Sequence, residues 1–200
     1  MSRYYCFSDT ETAGLVAGTH SLLTSAFVVA NEKLEKKAEF LFKYARDIYH
    51  VSAEALNVNK LDLIELWTNG IVGSGEKCSR RPANDLNQQM KKDFCRFKNG
   101  LYTLKEKGHE IILACHNRPF DKGFLILEHE WMFKDIFSEE GMDTKVDADA
   151  ARRDGLLKSE NSKLDTLRFV LGITHEGAHT ALKDTLDTLE LARYLRKLRK

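Results

Sequence analysis

The chain has 200 residues, 42% of them hydrophobic, which suits one globular domain over 1–200 with a substantial core. Its 31 basic and 30 acidic residues nearly cancel, which excludes a protein that coats nucleic acid through a whole-surface basic field. Chemistry on nucleic acid would have to be local, in a site. Met1-Ser2-Arg3-Tyr4-Tyr5 lacks the apolar core of a signal peptide, and no apolar run approaches the roughly 20 residues of a membrane span. Cys6, Cys78, Cys95 and Cys115 are widely spaced with no CxxC pair. Reduced thiols in the cytoplasm are therefore expected, rather than a zinc site or a disulfide framework.

In chain order, strands are predicted over residues 4–7, 22–30 and 38–44, with Asn31-Glu32 a turn signal after the second. Asp9-Thr10-Glu11 then falls at the C-terminal end of the first strand, where alternation points Asp9 and Glu11 to one side. The stretch 47–81 has mixed signals. Within it Gly70-Ile71-Val72-Gly73-Ser74-Gly75 reads as a flexible loop, without the Gly-Lys-Ser/Thr of a phosphate-binding loop. A long helix is predicted from near Pro82 to Gly108, with Leu86, Met90, Phe94, Phe97, Leu101 and Leu104 on one apolar face. Its aromatics read as core, not as a base-stacking platform.

Residues 110–115 form an apolar strand that delivers His116 and Asn117 to its C-terminal end. Asp121 opens the following helix, which carries Phe124, Leu125 and Leu127. A short strand is predicted around 145–148. Ser162 reads as the N-cap of a helix through Leu164, Leu167 and Leu171, closed by Gly172. The last helix is predicted over 181–198, with Leu182, Leu186, Leu189 and Leu195 inward. Its basic end, Arg193, Arg196, Lys197, Arg199 and Lys200, reads as a solvated helix terminus. Strands first, then alternating helices and strands, predict one α/β domain with a mixed sheet.

Four carboxylates, Asp9, Glu11, Asp121 and Asp184, and one imidazole, His179, stand at element ends spread over almost the whole chain. Carboxylates are hard oxygen ligands of the kind that Mg²⁺ and Mn²⁺ prefer. Phosphodiester hydrolysis puts negative charge on the attacking water, the phosphoryl oxygens and the leaving oxygen, and two metal ions about 3.5–4 Å apart can stabilise both ends of that displacement. Without metals, so many acids in a small volume would raise one another's pKa. His179 is the natural base for the attacking water, since imidazole titrates near neutral pH. Singly, each acidic motif is also explained by a solvated pair or a helix cap. Together, one ends a strand, one bridges a strand and a helix, and one opens the final helix.

Asp9-Thr10-Glu11-Thr12-Ala13-Gly14-Leu15 resembles the first exonuclease motif of the DnaQ-like DEDDh 3′→5′ exonuclease superfamily. His116-Asn117-Arg118-Pro119-Phe120-Asp121, continuing to Phe124-Leu125, resembles the second. His179-Thr180-Ala181-Leu182-Lys183-Asp184 resembles the third in its His variant, and Lys163-Leu164-Asp165-Thr166-Leu167, with Gly172 beyond, resembles the segment before it. The resemblance implies a ribonuclease H-like α/β fold: a five-stranded mixed sheet, its second strand antiparallel, with helices on both faces. It implies two Mg²⁺ or Mn²⁺ ions, the first on Asp9, Glu11 and Asp184, with Asp9 bridging to a second that Asp121 supports. His179 matches the general base. Thr12, Gly14, Leu15, His116 and Asn117 match positions against the terminal nucleotide, with Leu15 a wedge under its base. The implied activity is release of nucleoside 5′-monophosphates from single-stranded DNA or RNA 3′ ends, with a polymerase or another protein as a tethering partner.

Some signals stay outside this frame. Residues 47–81 match no family element firmly, although Glu54-Ala55-Leu56-Asn57-Val58-Asn59 resembles a stretch after the third strand in relatives. Arg118 reads equally as a phosphate contact at the rim or as a solvated loop residue. His175 and His179 lack a local partner for zinc, and Cys115 reads as a buried strand cysteine because nearby acids oppose a thiolate. Trp67 and Trp131 read as core or partly buried packing. Two alternatives share the fold: a non-catalytic nucleic-acid or polymerase-docking module, which predicts loss of a metal ligand where all five positions are filled, and a small-molecule phosphodiesterase.

Overall fold

The computed structural model describes residues 2–55, 62–72, 85–176 and 178–199. Six strands form one sheet: β1 (Arg3–Thr12), β2 (Leu22–Asn31), β3 (Lys36–Ala45), β4 (Ile71–Val72), β5 (Glu110–Cys115) and β6 (Phe137–Asp143). Their order is β4-β3-β2-β1-β5-β6, with β2 antiparallel to β1 and β3, and with β5 and β6 parallel to β1. The helices are α1 (Leu63–Asn69), α2 (Asp85–Glu106), α3 (Arg118–Glu128), α4 (Thr144–Arg153), α5 (Leu164–Leu171) and α6 (Ala181–Leu198). This is the ribonuclease H-like α/β architecture expected from the sequence, with one strand more. The additional strand is β4, two residues paired in parallel with the end of β3. It lies in Gly70–Gly75, read above as a flexible loop; 73–75 are outside the described residues.

The sheet is covered on both faces, so β2, Leu-Leu-Thr-Ser-Ala-Phe-Val-Val-Ala-Asn, is buried almost end to end instead of alternating. On one face α2 sets Phe97 and Leu101, each 1% exposed, against the aromatic row of β2 and β3. Phe97 stacks on Phe27 with ring centroids 4.6 Å apart and tilts against Phe40 and Phe42. Phe124 and Leu125 of α3 join the same cluster. On the other face Leu189 and Ala192 of α6 pack on Tyr5, Phe7, Val28, Ile112 and Ala114. Helices α4 and α5 then cover the outer side of α6 through Ala148, Ala151, Leu167, Leu191 and Leu195.

Several expected elements change here. Residues 145–148 are helical, inside α4, because the Asp143 carboxylate accepts hydrogen bonds from the Lys145 and Val146 amides as an N-cap. The strand lies just before, in Phe137–Asp143, at the sheet edge, where a polar sequence suffices for pairing on one side. Ser162 does not cap α5; Lys163 holds that position, and the Ser162 hydroxyl donates to Asp149 Oδ1 at 2.6 Å. Gly172 does end α5, in the left-handed region. Leu86 and Leu127 fit the apolar periodicity of their helices yet are 63% and 58% exposed, one at the helix start and the other turned off the sheet. The predicted start of α2 near Pro82 lies outside the described residues, as do Leu56-Asn57-Val58-Asn59.

Candidate active site

Alternation along β1 assigns each acidic side chain a face. Tyr5 and Phe7 point toward α6, so Asp9 and Glu11 continue that row, while Ser8 and Thr10 point the other way. Asp184 stands in the first turn of α6, on the side that meets the row. One ligand oxygen from each of Asp9, Glu11 and Asp184 lies within 4.8 Å of the others. The β1–β2 register breaks between Glu11 and Thr12, immediately after the last of the two acids. Such an irregularity bends a strand and re-aims its side chains.

Packed this closely, the carboxylates retain protons they would lose in water. Burial, then the charges of Asp121, Asp184 and Glu11, push Asp9 well above the usual carboxylate range, while Arg168 pulls it down. Glu11 is pushed up to about 8 by burial and by Asp184 and Asp121. Burial raises Asp184 too, and Arg168 opposes the shift. A cluster of hard oxygen donors in this state could exchange its protons for a divalent cation, and the residues present fit that role.

Asp121 approaches from the opposite face. It sits in the first turn of α3, 2% exposed, and its Oδ1 accepts a 2.7 Å hydrogen bond from the Thr10 hydroxyl. Burial brings it up to about 7, although the Thr10 hydrogen bonds lower it. Three of the four expected carboxylates thus share one small volume, and the fourth adds its charge from the far side of β1.

His179 lies on the turn before α6 with a left-handed φ of 62° and a side chain 54% exposed. A non-glycine residue in that region costs free energy and marks a constrained position. Its backbone amide donates to Asp184 Oδ1 at 3.2 Å, and its Nε2 lies 3.9 Å from Asp165 Oδ2. The imidazole therefore faces solvent at the rim of the cluster, with a carboxylate beside it.

The nucleotide-side candidates divide. Gly14 is required sterically, since a Cβ there would overlap the His20 ring. The Thr12 hydroxyl donates to Gly14 O at 2.7 Å, and the Val16 amide donates to His20 Nδ1 at 3.2 Å. This folds the loop over its own imidazole and leaves Leu15 82% exposed. His116 is used internally: its Nε2 bonds Ser162 O at 2.9 Å and its Nδ1 bonds the Thr144 hydroxyl at 3.0 Å. Burial lowers it to about 4, so the ring is neutral and both nitrogens are engaged within the protein. Asn117 is exposed at φ 73°, and its amide donates to Asp143 Oδ1 at 3.0 Å. Arg118 answers neither reading cleanly. Its guanidinium lies over Gly141 of β6, where any Cβ would overlap it, and among the described residues its Nε finds no hydrogen-bond partner.

Cys115 is buried, and burial with Asp121 and Asp9 pushes its thiol well up, which agrees with an inert strand cysteine. Trp131 packs partly buried against the core. Three supporting residues escaped the sequence reading. Thr10 was visible only as the middle of Asp-Thr-Glu. Asp143 bonds the amides of Asn117 and Arg118 as well as those of α4, so one carboxylate sets two helix starts; an N-cap reading of Asp143-Thr144 would have found half of that. Arg168, which bonds Asp184, has partners 16 and 19 residues away that no local pattern links to it.

No protein-family model and no curated protein sequence matches the chain. Solved structures do. Escherichia coli exonuclease I in complex with a dT13 oligonucleotide superposes with a TM-score of 0.72 at 16% identity, over 98% of this chain and 42% of that one. Its zinc-bound complex with single-stranded DNA gives 0.71 at 16% identity, over 98% and 41%. A product-bound structure of exonuclease I gives 0.70 at 15% identity, over 98% and 44%. This chain thus spans about two fifths of the length of these proteins, and the likeness at such identity shows a shared fold.

Proposed function

We propose that the chain is a metal-dependent 3′→5′ exonuclease of the DEDDh type, acting on single-stranded ends and releasing nucleoside 5′-monophosphates. The observation that carries this reading is the convergence of Asp9, Glu11 and Asp184 within 4.8 Å, on a fold shared with exonuclease I. Asp9, Glu11 and Asp184 would hold a first divalent cation, and Asp121 would support a second. Bound there, Mg²⁺ or Mn²⁺ supplies the positive charge that offsets the phosphoryl oxygens and the leaving 3′ oxygen. His179 takes the proton of the attacking water on its imidazole, whose Nε2 lies 3.9 Å from Asp165 Oδ2. Thr10 holds Asp121 in place, and Asp143 fixes the turn at Asn117 and Arg118 beside it.

Exonuclease I is bound to single-stranded DNA and to a dT13 oligonucleotide in two of those structures, which favours single-stranded DNA for this chain over RNA. Digestion of DNA and RNA oligomers of one sequence, side by side, is expected to show faster mononucleotide release from DNA; faster release from RNA would reverse the assignment. A formal charge of +1 holds long strands weakly, so release should be distributive unless another protein tethers the enzyme. No helix among the described residues is long and apolar enough to cross a membrane, and in this reading the compartment is the cytoplasm.

Leu15 is the expected wedge under the terminal base. At 82% exposure it contributes little to the core, so Leu15→Ala should leave stability within about 0.5 kcal/mol. The same variant should raise KM for an oligonucleotide severalfold. Unchanged kinetics would remove Leu15 from the substrate site.

A further inference from the structure

We propose that Arg168 is a positioning residue of this site: it fixes Asp184 through one carboxylate oxygen and so sets how tightly the cluster binds a divalent cation. The inference rests on the metal-binding reading above. Arg168 is 1% exposed and heads the fully buried side chains by volume. From α5 it places Nη2 on Asp184 Oδ1 at 2.5 Å, Nε on Asp187 Oδ2 at 2.7 Å and Nη1 on Asp165 Oδ1 at 2.5 Å. Asp187 already has a second cation, Lys183, at 2.5 Å.

A buried ion network of this kind is a poor device for stability alone, since well-packed apolar side chains often serve as well. What apolar packing cannot do is orient a carboxylate. Oδ1 of Asp184 accepts from both Arg168 Nη2 and the His179 amide, and these two bonds fix the orientation of the carboxylate within the cluster. Through Nη1 the same guanidinium holds Asp165, whose other oxygen faces the His179 ring. One planar fork thus ties a ligand of the cluster to the neighbour of the expected base.

Arg168 acts on metal affinity in two opposed ways: its charge opposes a cation, and its hydrogen bonds orient a ligand for one. Arg168→Lys separates them, because it keeps the charge and loses the fork. Mn²⁺ affinity is read by paramagnetic resonance titration of the purified chain, with folding checked by thermal unfolding. R168K is expected to weaken Mn²⁺ binding about tenfold or more, as loss of an orienting partner does at metal sites. Asp187→Asn, which keeps the Arg168–Asp184 bond, is expected to lower Tm and leave Mn²⁺ affinity nearly unchanged. A folded R168K chain that binds Mn²⁺ as the wild type does overturns the assignment, as does an equal loss in D187N.

Should R168K not fold, nitrogen-labelled wild-type protein answers instead. The Arg168 guanidinium protons should stay protected from solvent exchange on saturation with Mg²⁺. Their release would mean that arginine and ion compete for Asp184, and the proposal would fall. A wild-type chain that binds no Mn²⁺ at all would sink the metal site itself, a failure distinct from unchanged affinity in the variant.

Discussion

Asp9→Ala should lower mononucleotide release from a labelled single-stranded DNA 3′ end by about a thousandfold or more, with the fold intact. The expectation follows from position. Asp9 is the acid whose proton affinity responds to all three other carboxylates, Asp121, Asp184 and Glu11, so it stands where the cluster's charge is densest. Removing it takes away a ligand of the proposed metal site, and with it most of the charge that would stabilise the displacement. His179→Ala should cost about a hundredfold to ten-thousandfold, the usual worth of a positioned base. Undiminished release by either variant would dismantle the mechanism at that residue. Restoration of neither activity by excess Mn²⁺ would agree with lost chemistry, and full restoration of D9A would reduce Asp9 to a matter of affinity.

Glu11→Gln should make the metal-free protein more stable at pH 8, by on the order of 4 kcal/mol, while abolishing tight metal binding. Glu11 is pushed up to about 8 in the fold, by burial first and then by Asp184 and Asp121, from an ordinary value of 4.5. The folded state therefore holds a proton that the unfolded state has released between those two values. Stability of the wild type must then fall as pH rises from 4.5 toward 8, and the cost is fully present above 8. The glutamine variant carries no such cost. Its advantage in thermal unfolding should shrink as the pH is lowered and vanish below 4.5. Saturating Mg²⁺ should narrow the gap, since an ion at about a hundred times its Kd stabilises the wild type by roughly 2.7 kcal/mol and the variant by less. An E11Q protein less stable than the wild type in chelator at pH 8 would contradict the crowded-acid picture.

The two expectations describe one design. The acids that should make hydrolysis possible strain the fold when no cation is bound, and Arg168 is the protein's own partial remedy. Its pKa is raised: burial lowers it, but Asp187, Asp184 and Asp165 outweigh that, so the guanidinium stays charged in place.

Much of this site was legible before any coordinates. Asp-Thr-Glu at a strand end carries its own geometry, because a period of two must place Asp9 and Glu11 on one side. The span of α6 and the place of Asp184 near its start were likewise readable, since a run of leucines at helical spacing begins just after His179-Thr180. The helix after β5 was readable too, although its start was expected at Asp121 and lies at Arg118, where Asn117 is the N-cap and Asp121 falls in the first turn. Errors gathered where the local signal is weak. The polar edge strand Phe137–Asp143 has no alternating pattern to announce it, and β4 is two residues long.

By itself the sequence determined the strongly periodic features: β1, β2, β3 and β5, the long helices α2 and α6 with most of their apolar faces, and which acids stand at element ends. Those follow from interactions among near neighbours along the chain. Only the tertiary structure decided that Asp121 arrives from the Thr10 face of β1, that His116 is spent on Ser162 and Thr144, and that Arg168 grips Asp184. Each of these contacts joins residues between 16 and 111 positions apart. Their geometry is set by how helices dock on a twisted sheet, through packing of side chains that no short stretch of sequence contains.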